Sequence, residues 1–305
     1  MRQTRDPQEP ANQSQHTQAP EPIAAASVIV LRPHAQDGFE VLLMERAATS
    51  RNFAGTLVFP GGKVDAGDEA IANAAGFANV WAAHQHAFTR HQLDAPTAAS
   101  LYGAALRETL EEVGLVWTAD GQAPQTAQWQ PLRHALLNGT PWAQATQAQP
   151  LACSVQNLLP FSRWITPKVP NFSSKRFDTW FLLAQAPAEQ TAQADTSEAV
   201  RLVWGTPRAL LASHQRREIL LPPPQIMTLA HLSRFASIAA VQTHASTQAP
   251  YCITPVSVDV DGQRMVCFPG DPLHEETTTV MPGPQRLVMR NRWFEPKHAF
   301  DDLFV

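Results

Sequence analysis

The stretch RETLEEVGL, Arg107 to Leu115, decides the fold of this chain together with an earlier stretch, FPGGKVDAGD, Phe59 to Asp68. In a helix, Glu108, Glu111 and Glu112 occupy positions i, i+3 and i+4, which places three carboxylates on one face. Like charges at this spacing destabilise a bare helix, whereas a hard divalent cation such as Mg²⁺ stabilises them through its oxygen ligands. The spacing therefore predicts a metal-binding helix.

The earlier stretch contains a glycine bend. Gly61 and Gly62 let the backbone approach a ligand closely, and Pro60 stiffens the entry to the bend. A backbone carbonyl at this bend can add a further ligand to a metal ion. We expect the bend and the carboxylate helix to meet in space, although they are far apart in the chain.

Strands and helices are mixed along the rest of the chain. Apolar runs predict a hairpin with strands at 24–31 and 39–46, and the carboxylate helix extends over 98–113, where Gly114 ends it. Strands mixed with helices indicate an α/β sandwich in which a sheet is covered on both faces. The remaining predictions are a short strand into the bend at 57–62, a helix over 70–88, mostly loop over 118–150 with a short helix at 132–137, strands at 161–166, 176–184 and 199–205, a helix within 221–235, and a hairpin turning at Asp261-Gly262.

Composition and charge exclude several classes of protein. The net charge of −4 argues against binding to nucleic acid or to an anionic membrane surface. No apolar run approaches the roughly 20 residues that cross a bilayer, and the first 20 residues, rich in Gln, Pro and Ala, indicate a disordered tail and not a secretory signal. The three cysteines predict reduced thiols in a cytoplasmic protein. A homodimer is possible, and the sequence leaves the oligomeric state open.

The two stretches together resemble the Nudix box, G-x5-E-x7-R-E-U-x-E-E-x-G-U, in which U is aliphatic. Three departures stand out. Asp68 replaces the first Glu, and Thr109 replaces an aliphatic residue. The spacer between Asp68 and the Arg-Glu pair is longer than the x7 of the motif by an insertion of 31 residues. The matching positions are Gly62, Arg107, Glu108, Glu111, Glu112, Gly114 and Leu115.

A long insertion inside the box is typical of one Nudix subgroup, which includes the peroxisomal coenzyme A diphosphatase of mammals and its bacterial relatives. The stretch LLMERAATSRNFAGTLVFPGG, residues 42–62, is similar to the motif associated with coenzyme A hydrolysis, although Met44, Ala47, Ser50 and Leu57 depart from it. The stretches WITP and KRFDTWF between 164 and 181, and LPPP at 221–224, also resemble this subgroup. The resemblance covers about residues 23–240.

The resemblance implies a fold and a domain organisation. The fold would be a Nudix α/β/α sandwich with a mixed sheet, a helical insertion inside the box and a C-terminal extension. The Nudix domain would span residues 21–240, with the insertion at about 69–99. Residues 241–305 would pack on it as the extension. The insertion either caps the pocket or packs against the C-terminal segment.

The resemblance also implies a metal-dependent mechanism. Glu108, Glu111 and Glu112, with the carbonyl of Gly61, would hold Mg²⁺ or Mn²⁺ against a diphosphate. Glu108 or Glu111 would act as the catalytic base, and Arg107 would orient a carboxylate, either Asp68 or Glu111.

The substrate would be a small nucleotide derivative, namely coenzyme A or acyl-coenzyme A, hydrolysed at its phosphoanhydride bond. Gly62, Arg46 and Arg51 are candidates for substrate binding, and surface salt bridges are the alternative for the two arginines. Lys175 and Arg176 form a second basic group, and the alternative there is pairing with Asp178 at a strand edge. The rival functions are hydrolysis of ADP-ribose, NADH or another dinucleotide, and a nucleotide-sensing module without catalysis.

Overall fold

The hairpin predicted near the start of the chain is present in the computed structural model, which describes residues 20–47, 54–167, 175–195 and 199–305. Strand β1, Ile23–His34, pairs antiparallel with β2, Gly38–Arg46. Along β1, Val28 and Val30 face one apolar cluster while Ile29 and Leu31 face another, because successive side chains of a strand point to opposite faces. A continuous apolar run is therefore buried on both faces, as the sequence predicts.

Strands β1 and β2 belong to an eight-stranded mixed sheet. Its main order is β3-β2-β1-β6-β5-β8, with β4 added to β1 and β7 added to β2. The pairs β1–β6 and β5–β8 are parallel, and the other pairs are antiparallel. The α/β class with a mixed sheet is thereby confirmed. The further strands are β3 Leu57–Val58, β4 Gly61–Lys63, β5 Leu159–Ile165, β6 Phe177–Gln185, β7 Ala199–Gly205 and β8 Tyr251–Ile253.

Helices cover both faces of this sheet. One apolar cluster joins the first face to helices α1 to α5, and the other joins the second face to α6, α7 and α8. The helices are α1 Asp68–Ala74, α2 Phe77–Arg90, α3 Ala95–Val113, α4 Thr126–Leu137, α5 Trp142–Ala148, α6 Pro207–Gln215, α7 Pro223–Leu232 and α8 Ile238–Thr247.

The insertion forms two helices, α1 and α2, where the sequence predicts one. Gly76 separates them with a φ of +85°, a left-handed conformation that ends α1 and starts α2. The insertion packs into the core, because Phe88 contacts both Tyr102 on α3 and Trp180 on β6. Just after α2, a ring nitrogen of His91 lies 2.9 Å from the carbonyl oxygen of Pro250, so the insertion also contacts the segment before β8.

The prediction of mostly loop over 118–150 was wrong, because α4 and α5 occupy most of 126–148, although the short helix predicted at 132–137 lies within α4. Trp129, Leu132 and Leu136 are buried at helical spacing on α4. At its start, the side chain of Gln128 accepts a hydrogen bond from the backbone N–H of Gln125 at 2.7 Å. Helices α6 and α8 were not predicted either. Their N-caps are Thr206 and Ser237, whose hydroxyl groups accept from the backbone N–H groups of Ala209 and Ala240, three residues further along the chain.

A second sheet of four antiparallel strands follows α8. Its order is β12-β11-β10-β9. Val266, Leu287 and Phe294 join the same apolar cluster as α6 to α8, whereas Met265, Cys267 and Val288 form a separate small cluster. The predicted turn at Asp261-Gly262 joins β9 to β10, and both turn residues have positive φ angles, +52° and +75°. The strands are β9 Val256–Val260, β10 Gln263–Cys267, β11 Arg286–Arg290 and β12 Trp293–Pro296, and a 3₁₀ helix, Phe300–Phe304, comes last. Among the residues just described, none of the helices has the length and apolar character needed to cross a membrane.

Candidate active site

The glycine bend meets the carboxylate helix, despite the insertion between them. The backbone N–H of Gly61 donates to Oε2 of Glu112 at 2.7 Å. At the next residue, a Cβ built on Gly62 would lie 2.2 Å from Oε1 of Glu108. Strand β4 carries both glycines alongside β1, where Gly61 is opposite Ser27 and Gly62 opposite Ala26. The absence of side chains at the bend is what lets α3 approach this edge of the sheet so closely.

The caps and the apolar face of α3 fix its position. Asp94 is the N-cap, and its carboxylate accepts from the backbone N–H of Thr97 at 2.9 Å. Gly114 ends the helix with a φ of +66°. Leu106, Leu110 and Val113 are fully buried against the sheet. The predicted helix and its end at Gly114 are confirmed, and the start lies three residues earlier than predicted.

Arg107 connects the carboxylates of the site. Its guanidinium donates to both oxygens of Asp68, from Nε at 2.9 Å and from Nη2 at 3.0 Å. Nη1 donates to Glu108 at 2.8 Å and lies 3.4 Å from Glu111. Nη2 also donates to the carbonyl oxygen of Lys63 at 3.0 Å. The sequence left Asp68 and Glu111 as alternative partners of Arg107, and in the structure Arg107 contacts both. Its bidentate hydrogen bonds are with Asp68.

Burial governs the charges of this cluster. Asp68 is 1% exposed and Glu112 is 3% exposed, so both carboxylates depend on partners within the protein. Burial raises the pKa of Glu111 to about 7, with Glu108 and Asp68 adding to the rise and Arg107 opposing it. Burial alone would lower the pKa of Arg107, but the hydrogen bond to Asp68 and the neighbouring carboxylates raise it above its usual range.

The donor set fits a hard divalent cation. Glu108, Glu111 and Glu112 offer only oxygen ligands, and the bend against them leaves no Cβ in the way. Across residues 20–47, 54–167, 175–195 and 199–305, no group of three His, Cys, Asp or Glu side chains is already arranged around a metal position. In their present contacts, Oε1 of Glu108 accepts from Arg107 and Oε2 of Glu112 accepts from Gly61. Metal binding would therefore draw on the remaining carboxylate oxygens or exchange these contacts.

The candidate substrate-binding residues lie in different surroundings. Gly62 adjoins Glu108, as described above. Arg46 ends β2 and its Nε is buried, with no hydrogen-bond partner among the described residues. Arg51 lies outside the described residues. Lys175 is exposed at the start of the segment that leads into β6.

Arg176 has a structural environment. It is 5% exposed, and its guanidinium donates to the carbonyl oxygens of Thr166 and Pro20. Asp178, offered as its alternative partner, instead forms a two-pronged ion pair with Arg163 at 2.8 and 2.5 Å. A guanidinium that is buried and bonded to main-chain carbonyls has little freedom to reach a substrate, so Arg176 is the weakest of the predicted substrate contacts.

One residue at this site was missed by the sequence analysis. Arg133 on α4 is 8% exposed, and its guanidinium donates to the carbonyl oxygens of Glu111 at 3.0 Å and Glu112 at 3.3 Å. It lies within the short helix predicted at 132–137, but no spacing pattern links it to the carboxylates. Only the packing of α4 against the end of α3 brings it there.

One protein-family model matches most of the chain. The model of the NUDT19 Nudix domain matches residues 17–232, which is more than half of the chain. This range includes the glycine bend, the insertion and the carboxylate helix.

Individual proteins are similar over comparable lengths. An acyl-coenzyme A diphosphatase NUDT19 from Xenopus laevis is 24% identical, over 84% of this chain and 77% of that protein. A putative nudix hydrolase 7 from Caenorhabditis elegans is 27% identical, over 76% of this chain and 68% of that protein. Among solved structures, a Nudix hydrolase from Alicyclobacillus acidocaldarius aligns with a TM-score of 0.58 at 25% identity, covering 75% of this chain and 97% of that one.

Proposed function

Because the chain belongs to the NUDT19 Nudix domain family, we propose that this Nudix hydrolase cleaves the phosphoanhydride bond of coenzyme A or acyl-coenzyme A. The products from coenzyme A are 3′,5′-ADP and 4′-phosphopantetheine. The observation that carries the proposal is the hydrogen bond from the N–H of Gly61 to Glu112, which brings the bend and the carboxylates together. The substrate class follows the relatives named as acyl-coenzyme A diphosphatases.

Glu108, Glu111 and Glu112, with the carbonyl of Gly61, are the groups that would hold Mg²⁺ or Mn²⁺ in this proposal. When bound, such a cation neutralises diphosphate charge, polarises a phosphorus–oxygen bond and lowers the pKa of a bound water. Arg107 holds the carboxylates in position through its contacts with Asp68, Glu108 and Glu111. Preorganised charge of this kind, and not covalent catalysis, carries most of the rate enhancement in phosphoryl transfer.

The hydrolysis consumes one water molecule. The water oxygen forms a bond to phosphorus, the bond from phosphorus to the bridging oxygen breaks, and the bridging oxygen leaves with one of the two phosphate products. Glu108 or Glu111 accepts the proton of the water and later returns it to solvent. Both side chains are partly exposed, at 14% and 21%, so a water can reach them.

The candidate substrate-binding residues differ in how much the structure supports their role. Arg46, whose buried Nε has no hydrogen-bond partner in the described part of the chain, and Gly62, beside Glu108, are proposed to contact the diphosphate or its nucleotide. Arg51, Lys175 and Arg176 stay predictions from the sequence. Residence in the cytoplasm and assembly as a homodimer also stay predictions.

A substrate panel tests the proposal. The purified chain is incubated with Mg²⁺ or Mn²⁺ and, separately, coenzyme A, an acyl-coenzyme A, ADP-ribose, NADH and diadenosine polyphosphates, and the products are separated by chromatography. Release of 3′,5′-ADP from coenzyme A or acyl-coenzyme A, with little turnover of the others, is the expected result. Preferred turnover of ADP-ribose or NADH would reassign the substrate, and tight nucleotide binding without turnover would indicate a sensing module.

A further inference from the structure

We propose that Arg133 is a positioning residue that fixes the metal-binding carboxylates of α3 through hydrogen bonds to the backbone of Glu111 and Glu112. The inference rests on the proposed function, because it assigns a role toward the same metal ion. Arg133 belongs to α4, outside the glycine bend and the carboxylate helix, and its guanidinium donates to backbone carbonyl oxygens. It acts on the backbone of the two residues whose side chains face the site.

The contacts of Arg133 are with the end of α3 and with one further segment. Nε donates to the carbonyl oxygen of Glu111 at 3.0 Å, and Nη2 donates to that of Glu112 at 3.3 Å and to that of Gln193 at 2.7 Å. One buried guanidinium thus joins three parts of the chain: α4, the last turn of α3, and the segment after β6. No other arginine contact within the described residues reaches the backbone of α3.

These contacts meet a need created by the end of the helix. The last four carbonyl groups of an α-helix have no partner within the helix, and a buried helix end requires donors from elsewhere. The segment after β6 supplies two, since the N–H of Gln193 donates to Val113 and the N–H of Asp195 donates to Glu112, both at 2.8 Å. The N–H of Gly114 donates to Leu110, and Arg133 supplies the donor to Glu111 and a second donor to Glu112. The positive charge of Arg133 also complements the negative end of the helix dipole.

As a consequence, both the backbone carbonyl and the side-chain carboxylate of Glu112 are held by hydrogen bonds. Its carbonyl oxygen accepts from Arg133 and from the N–H of Asp195, while its carboxylate accepts from the N–H of Gly61. Glu111 is held by Arg133 at its carbonyl and faces Arg107 with its carboxylate. Groups that orient metal ligands without touching the metal commonly contribute a factor of about 10 to 100 in metal affinity.

Titration with Mn²⁺ tests this role without an enzymatic readout. The electron paramagnetic resonance signal of free Mn²⁺ is followed as each full-length variant is added, at a temperature well below the unfolding midpoint of every variant. For Arg133→Gln we expect Mn²⁺ binding about 10- to 100-fold weaker than wild type, and for Arg133→Lys an intermediate loss, because an ammonium lacks the planar fork. Arg234→Gln is the matched control: Arg234 donates to the carbonyl of Leu303 in the last helical turn of the chain, remote from α3, and its loss should leave Mn²⁺ binding unchanged.

The same variants separate a positioning role from a purely structural one. In hydrolysis assays, the Mn²⁺ concentration that gives half of the maximal rate should rise for Arg133→Gln, and the rate at saturating Mn²⁺ should recover in large part. A folded Arg133→Gln that binds Mn²⁺ as tightly as wild type overturns the inference and leaves the proposed function intact. If Arg133→Gln does not fold, wild-type Mn²⁺ affinity in folded Arg133→Lys overturns it. A wild-type chain that binds no Mn²⁺ overturns the proposed function itself.

Discussion

Gly62 faces Glu108 so closely that a methyl group on its Cα would lie 2.2 Å from Oε1 of the carboxylate. The distance is far below any normal contact, and Gly62 has no positive φ, so a substitution acts here by its volume alone. The bend and the helix are thus fitted to one another at a position where only glycine leaves the carboxylate in place.

Gly62→Ala should therefore weaken metal binding and hydrolysis together. The added Cβ displaces Glu108, and a misplaced ligand of this kind costs on the order of 10- to 100-fold in metal affinity. Mn²⁺ titration and initial rates measure the effect. Gly121→Ala is the control, because nothing lies within 4 Å of its Cβ position, although its φ of +70° adds backbone strain. Equal Mn²⁺ affinity in Gly62→Ala and wild type would show that Glu108 does not bind the metal.

Removal of Arg107 should destabilise the fold as well as the site. Asp68, at 1% exposure, accepts two hydrogen bonds from the guanidinium and would be left as a buried charge without its cation. Such a loss costs about 3 to 5 kcal/mol. Urea unfolding of Arg107→Ala measures it, and Arg216→Ala, which removes an exposed pair with Glu218, should leave the midpoint where it is. A wild-type midpoint in Arg107→Ala would mean that Asp68 finds another partner.

The insertion should behave as part of the core. Phe88 has no exposed surface, and its ring contacts those of Trp81, Tyr102 and Trp180. Phe88→Ala should lower the free energy of unfolding by about 3 to 5 kcal/mol, as large-to-small changes of buried aromatic residues do. Val200→Ala, at a side chain that is 62% exposed, is the control. An unchanged unfolding curve for Phe88→Ala would identify the insertion as a detachable flap.

Acid should destabilise the protein through His231. This residue is 7% exposed among aromatic rings, including Phe161 and Tyr251, and burial lowers its pKa to about 3, with His244 and Arg234 contributing. A folded-state pKa below the ordinary value of about 6.5 means that the unfolded chain takes up the proton first, so stability is complete above pH 6.5 and declines as the pH falls toward 3.

The difference between wild type and His231→Phe isolates this contribution. Between pH 7.5 and 5.5, the wild-type free energy of unfolding should fall by about 1.4 kcal/mol more than that of the variant, which keeps a ring in the cluster but cannot titrate. Replacement of the exposed His298 by Phe should leave the wild-type dependence as it is. Parallel curves for wild type and His231→Phe would show that His231 is protonated equally in both states.

The elements that local rules govern were predictable. Helix α3 has an apolar face, a helix-stopping Gly114 and carboxylates at helical spacing, and the hairpins at 34–38 and 261–262 follow from turn residues between apolar runs. The approach of the bend to the helix was expected from the resemblance of both stretches to one family motif. Each of these features is encoded within a few consecutive residues or in a single pattern.

The features that were missed depend on distant segments. The contact of Arg133 with the end of α3 requires α4 and the segment at 193–195 to meet there, and nothing near Arg133 in the sequence specifies that. Contact of Arg176 with the substrate stays a prediction, but the burial of Arg176 against main-chain carbonyls could not be read from the sequence. Tertiary packing, which sequence patterns do not report, decided both.

Hydrolysis of coenzyme A by Glu111→Gln, compared with wild type at saturating Mg²⁺ and with matched unfolding curves, is the most direct test. Glutamine preserves the size of the side chain, but it offers a weaker metal ligand and accepts no proton, so the rate should fall roughly 10²- to 10⁴-fold while the fold stays intact. A folded variant that hydrolyses coenzyme A at close to the wild-type rate would contradict the assignment of the chemistry to the carboxylates of α3.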